Sequence, residues 1–223
     1  MKAEYIDHMG TDLTVVNSAR VSFDKESDWD NNHLPYPKDR YKLSEKDQRL
    51  INYLASHNHW TPFSHAQITM RETVPIFVAR QRFKHMIGFT YNEVSRRYVD
   101  DEPEFFTPKY WRKRAENKKQ GSSDEVFEGD YYHEYVDRVN ELAMRCYTDM
   151  IKDGIAPEQA RMILPQSMYT SYYVTGSLAA WARAYNLRSK PDAQAEIRDL
   201  ADNWNEIIEP LFPHSWKALT NGT

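Results

Sequence analysis

The chain has 223 residues and a single cysteine, Cys146. No internal disulfide can form, and a reducing, cytoplasmic setting is expected. Glycine is scarce, at seven residues, and neither a Gly-x-Gly-x-x-Gly turn nor a Gly-x4-Gly-Lys phosphate loop occurs. Any nucleotide that binds must therefore be held by side chains, where glycine-rich folds use backbone N–H groups. Arginine is the natural substitute, because its planar fork meets a phosphate with two parallel hydrogen bonds. No stretch approaches the ~20 apolar residues that cross a bilayer. The opening "MKAEYIDHMG" is polar and lacks a signal-sequence core, so no membrane partner is expected. Positive charge is not in excess either. A formal net charge of −4 argues against a general nucleic-acid surface. No Gly-x-Ser-x-Gly elbow presents a serine nucleophile. Cys146 lies on the apolar stripe of a long helical pattern, which reads as core, where a thiol is inert. With no covalent catalyst in sight, the chemistry is expected to come from a cofactor.

What is present suffices for a core, with 40% hydrophobic residues. A short helix is expected over Asp12–Ala19, then a polar surface loop over residues 24–42. Ser44 reads as the cap of a helix to Ser56 with Leu50, Ile51 and Leu54 on one face. "AQITMRET" alternates as a strand, with Ile68 and Met70 on one side. A helix opening at Thr73 and Pro75, burying Ile76, Ala79 and Phe83, should run to Gly88, and "YNEVSRRYV" should be extended. A charged loop follows over residues 113–126. In the strongest helical pattern Tyr132, Tyr135, Val136, Val139, Leu142, Ala143, Cys146, Tyr147 and Met150 recur at helical spacing, with Gly154 as its stop. "SMYTSYYVT" alternates as a strand, and Ser177 should cap the helix "SLAAWARAYNLR". One long amphipathic helix should close the chain, with Ile197, Leu200, Trp204, Ile208 and Leu211 inward. Few alternating strands among long helices imply an α+β fold, one domain over residues 1–223, with a small antiparallel sheet.

The cations cluster. Arg80, Arg82, Lys84, Arg96 and Arg97 fall within 18 residues, and Arg161, Arg183 and Arg188 sit beside the apolar runs "MILP" and "AYNL". Most arginines are solvated, but a charge beside an apolar run usually has a partner. His57, His59 and His65 have a spacing open to zinc or iron, yet no carboxylate or cysteine lies near in sequence. A helix-end or ring-stacking role suits them better, and no metal is expected.

Several segments agree with one family. "HWTPFSHAQITMRETVPIFVARQRFKHMIGFTYNEVSRRY", with "SARVSF" before it and "EQARMILP" and "YNLRSKPDAQAEI" after it, resembles the flavin-dependent thymidylate synthases. That family's signature is Arg-His-Arg, seven residues, then Ser. Here it reads Lys84, His85, Met86, eight residues, then Ser95. Ser64 and Asp192 also stand where the family often has an acidic residue and a histidine.

The resemblance implies reductive methylation of dUMP to dTMP. FAD would be the cofactor, 5,10-methylenetetrahydrofolate and NADPH the co-substrates, and the assembly a homotetramer with shared sites. It implies that Gln81, Lys84, Glu93, Ser95, Arg96, Arg97 and Arg161 hold dUMP, and that Arg188 is the catalytic group at the uracil edge. It implies that His59, Thr61, Lys84, His85, Met86, Asn92 and Glu93 line the flavin, with Arg183 offered to a flavin phosphate. Two alternatives remain open at this stage. One is a related pyrimidine-nucleotide modification such as hydroxymethyl transfer, and the other is a nucleotide-binding protein without flavin.

Overall fold

The computed structural model describes residues 1–30, 42–99, 101–116, 123, 125–129 and 131–220. Parts of the two expected loops, at 24–42 and 113–126, lie outside these residues.

A four-stranded antiparallel sheet in the order β1-β2-β4-β3 forms the platform, from β1 (Lys2–Met9), β2 (Gln67–Pro75), β3 (Phe89–Glu93) and β4 (Tyr169–Ser177). In β2 the residues Ile68, Met70, Glu72 and Val74 are buried, and in β4 Thr170, Tyr172 and Val174. This period of two points one face at the helices and leaves the other to solvent. Gly176 in β4 pairs with Phe89, and a Cβ at Gly176 would lie 2.3 Å from the Phe89 ring. Only glycine lets that ring cross the strand.

The inner face is covered by α3 (Ile76–Arg82), α6 (Leu178–Arg188) and α7 (Ala195–Ile208). Their buried residues include Val78 and Ala79, then Leu178, Trp181 and Ala184, then Ile197, Leu200, Trp204 and Ile208. Around this core pack α1 (Asp12–Arg20), α2 (Glu45–Ser56) and α8 (Pro213–Thr220). The capping signals act as read. Ser44 accepts from the Asp47 N–H at 3.1 Å, and Ser177 accepts from the Ala180 N–H at 3.2 Å.

Five expectations need correction. The segment expected to be extended through Val99 leaves β3 (Phe89–Glu93) and turns at residues 96–98, where the Tyr98 N–H donates to the Ser95 carbonyl at 3.0 Å. β1 was not foreseen, because an edge strand this polar buries too little to alternate clearly. α3 starts at Ile76, since Thr73, Val74 and Pro75 still pair with Ser171, Thr170 and Tyr169 of β4. It also ends at Arg82, and residues 83–88 form a turn; its buried residues are Val78, Ala79 and Arg82, with Ile76 and Phe83 half-buried. The last helix divides into α7 and α8, because Pro210 has no N–H to continue the ladder and Pro213 starts anew. Finally, α4 (Tyr131–Lys152) buries only Asn140 and Tyr147, and Cys146 on it is exposed, not core. The helical period is present, but among the described residues the stripe is only partly covered: Tyr132 meets the Trp111 and Phe127 rings, while Val139 and Leu142 are exposed. α5 (Pro157–Ala160) and the turn after it sit against α4.

Candidate active site

Two groups of the expected site residues assemble, at opposite ends of β3. The first is built on α3, the turn after it and the last turn of α6. Gly88 closes the turn at φ +80°, and a Cβ there would fall 2.9 Å from the Cβ of Ala180, so the turn docks directly on the start of α6. The Ser177 N–H donates to the Gly88 carbonyl at 3.1 Å. His85 is thereby buried, only 8% exposed. Arg188 reaches back along α6 and donates from Nε to His85 Nε2 at 2.9 Å. Its Nη1 and Nη2 donate to the Gln81 side-chain and main-chain oxygens at 3.5 and 3.4 Å.

To accept from Arg188, His85 must be neutral and carry its proton on Nδ1. Its surroundings enforce that. Burial, followed by the charges of Arg188, Arg82 and Arg183, pushes its pKa down to about 4. Burial, and then Arg82, also lowers the pKa of Arg188 itself. Gln81 donates in turn to Gln194, Gln194 donates to Glu196 at 2.9 Å, and Glu196 accepts from Arg112 at 2.5 Å. Burial works to raise the Glu196 pKa, but hydrogen bonds from Arg112, from its own N–H and from Gln194 outweigh it and hold the carboxyl low. This chain of contacts borders an aromatic cavity of about 520 Å³ lined by Phe77, Phe106, Trp111 and Tyr135.

The second group borders a cavity of about 420 Å³ that brings together Glu93, Arg96 and Arg161, with Ile76 and Thr170. Glu93 accepts from the Thr170 hydroxyl at 2.6 Å. Arg96 donates to the Asp101 carbonyl and lies 3.6 Å from its carboxylate. The Arg97 N–H and Nε donate to the Ser95 hydroxyl at 3.4 and 3.3 Å. The Arg97 guanidinium lies over the Tyr98 ring at 5.2 Å. Hydroxyl and guanidinium groups converging here suit a phosphate.

The strand separates the groups. Phe89 pairs with Gly176 and Glu93 with Tyr172, so the ends of β3 are roughly 13 Å apart at the usual rise per residue. Near the Arg188 end, Lys84 is exposed, Met86 is 73% exposed, and Arg183 donates to the Ile87 carbonyl. His59 and Thr61 are exposed on the segment between α2 and β2, where the His59 ring lies edge-on to His57 at 6.4 Å. Asn92 faces a different cavity, on the open side of the sheet beside Arg71 and Tyr173. Among the described residues no three His, Cys, Asp or Glu side chains converge as a metal site.

Glu72, Tyr91, Gln194 and Glu196 escaped sequence reasoning, and Arg82 was read only as one of a cluster of cations. Glu72 carried a usable signal. It sits at an inward register of a strand whose Ile68 and Met70 face in, so a buried cation had to be near.

Residues 4–214 match the family model described as thymidylate synthase complementing protein, Thy1. The chain belongs to the Thy1 family. Among its relatives, the flavin-dependent thymidylate synthase of Thermosipho africanus (strain TCF52B) is 35% identical over 217 residues, covering 96% of this chain and 88% of the relative. The enzyme of the same name from Thermus thermophilus is 33% identical over 214 residues, covering 96% and 73%. In structure, the chain is similar to the UMP/dUMP methylase PolB from Streptomyces cacaoi bound with 5-Br dUMP. The TM-score is 0.81 at 29% identity, over 99% of this chain and 94% of that one. The Thy1 fold and the α+β architecture read from the sequence therefore agree.

Proposed function

We propose that the chain is a flavin-dependent thymidylate synthase that methylates dUMP at C5 to give dTMP, with residues 1–223 acting as one catalytic domain in the cytoplasm. The observation that carries this reading is the state of Arg188. Its hydrogen bonds go to His85 and Gln81, both neutral, so its positive charge is left for a ligand. A pyrimidine that attacks through C5 develops negative charge over N3 and the carbonyl oxygens. A fixed guanidinium at that edge stabilises the charge as it forms. Gln81, locked between Arg188 and Gln194, orients the same edge.

The phosphate and sugar belong to the other group, Glu93, Ser95, Arg96, Arg97 and Arg161, and Lys84 adds charge from the Arg188 side. β3 holds the two groups apart, and one nucleotide is assigned to Arg188 of one protomer and the phosphate group of another, the sharing of sites that the resemblance implies. That division supports shared sites, and the assembly proposed is the homotetramer that the resemblance implies. An exposed stripe on α4 supports it: Tyr132, Tyr135, Val139 and Leu142 recur at spacings of three and four and are all at least 43% exposed.

The turn after α3 fits a flavin nucleotide in the chemistry of its donors. Lys84 and Arg183 offer cations beside the uncovered apolar side chains of Met86 and Ile87. His59, Thr61, His85, Asn92 and Glu93 complete the set that would hold FAD. When bound, FAD supplies the electrons that reduce the one-carbon unit of methylenetetrahydrofolate to a methyl group, and NADPH restores them. Arg-to-Lys and Arg-to-Met exchanges at 84 and 86 remove bidentate phosphate contacts, so FAD should bind more weakly than in relatives with the full signature.

The test is product analysis. Purified protein with FAD, NADPH and methylenetetrahydrofolate is given dUMP or UMP, and the nucleotide is examined by mass spectrometry. Methylated dUMP is the expected product. A hydroxymethylated nucleotide, or nucleotide binding without turnover or flavin uptake, would replace this reading.

A further inference from the structure

We propose that Glu72, Arg82 and Tyr91 form a buried positioning network that fixes His85 and, through it, Arg188. The proposal rests on the assignment of Arg188 to the pyrimidine. Arg82 is the one Lys or Arg side chain that is buried among the described residues, and it is fully so. Its Nε donates to both oxygens of Glu72, at 3.2 and 3.1 Å, and Glu72 is fully buried as well. The Tyr172 hydroxyl donates to Glu72 at 2.5 Å. Arg82 Nη2 has no hydrogen-bond acceptor, and the guanidinium is instead walled by the rings of Phe89, Trp204 and Trp181, at 4.4, 4.7 and 4.8 Å.

An ion pair this deep is not explained by stability, because well-packed apolar residues of equal volume do as well or better. What it adds is direction. Arg82 Nη1 donates to the Tyr91 hydroxyl oxygen at 2.6 Å. A phenol has one proton, and of the two carbonyls within its reach, Arg82 at 3.3 Å and His85 at 2.7 Å, the nearer His85 oxygen takes it. Burial, partly offset by Arg82, raises the Tyr91 pKa to about 12 and keeps that proton in place. His85 lies on a turn beyond the end of α3, so its position is not set by a helical ladder. The phenol clamps its main chain, and the ring then receives Arg188 Nε at 2.9 Å. The order of dependence is Glu72, Arg82, Tyr91, His85, Arg188.

Tyr91→Phe removes one hydroxyl and keeps the ring, and Arg82→Lys keeps the charge but cannot serve Glu72 and Tyr91 with one fork. Each variant is assayed for kcat and for the KM of dUMP, and the His85 ring is observed by ¹⁵N NMR of histidine-labelled protein. In the unaltered protein His85 should show the Nδ1–H tautomer alone. In both variants we expect a tautomer mixture, kcat lowered about tenfold and KM within about twofold, as misplacement of a catalytic group produces. If Arg82→Lys fails to fold, Tyr91→Phe carries the test alone. An unchanged tautomer, or kcat within about twofold of the original, overturns the proposal. Arg188→Ala is the control. Normal turnover there removes the role assigned to Arg188, whereas its loss beside an unaffected Tyr91→Phe removes only the network.

Discussion

Arg188 donates only to neutral groups, which distinguishes it from a structural arginine paired with a carboxylate, as Arg82 is with Glu72. Arg188→Ala should lower kcat by about 10²- to 10³-fold with the fold intact, as removal of one preorganised transition-state donor does. Steady-state kinetics beside circular dichroism would check it. His85 makes a second prediction. Its folded pKa of about 4 lies below the ordinary 6.5, so between these values the unfolded chain holds a proton that the native one does not. Native stability from this group is therefore complete above pH 6.5 and is lost as the pH falls toward 4. His85→Gln, which keeps an acceptor for Arg188, should flatten the dependence of urea midpoints on pH across that window. Met86→Arg, at an exposed position of the turn, should fit without strain and tighten FAD, measured by flavin fluorescence on titration.

At the level of elements, the sheet's inward register explains how a charge pair came to be buried. Glu72 follows Ile68 and Met70 on one face of β2, and Arg82 closes the last turn of α3 above it. Removing one partner leaves the other charged in an apolar site, so Glu72→Leu should destabilise the protein by about 3 to 5 kcal/mol in denaturant unfolding. Strands, caps and most helices were legible because their signals are local. The alternation of Ile68 and Met70 and the serines at 44 and 177 act over a few residues. The end of α3 was not legible. Nothing in "RQRFKHMIG" says that the turn at 83–88 docks on Ala180, nearly a hundred residues away. The burial of Arg82 was hidden for a related reason. A basic residue among Arg80 and Lys84 reads as solvated until the rings of Phe89, Trp181 and Trp204 are seen around it.

For the whole molecule the decisive feature is the distance between the two groups assigned to the proposed site. Light scattering should give the mass of a tetramer. Replacing Val139 and Leu142 on α4 with glutamate should shift the protein to smaller species and lower turnover in step, because charge on an exposed apolar stripe blocks association. A monomer with full activity would remove the shared site. The exposure of α4 also changes the meaning of Cys146. The stripe it belongs to is apolar, but a helical period fixes only which residues share a face, not what that face meets.

The family and the α+β class were set by the sequence, since each depends on residue types at short spacings, and the same short motifs named most of the candidate site residues. Their grouping was decided by the tertiary structure. Pairing of β3 with β4 carries Glu93 away from His85, and the return of α6 brings Arg188 onto it, 103 residues later in the chain. Neither side-chain type nor local period encodes such a meeting, because it is the packing of distant elements that chooses which donors face each other and which stay free for a ligand.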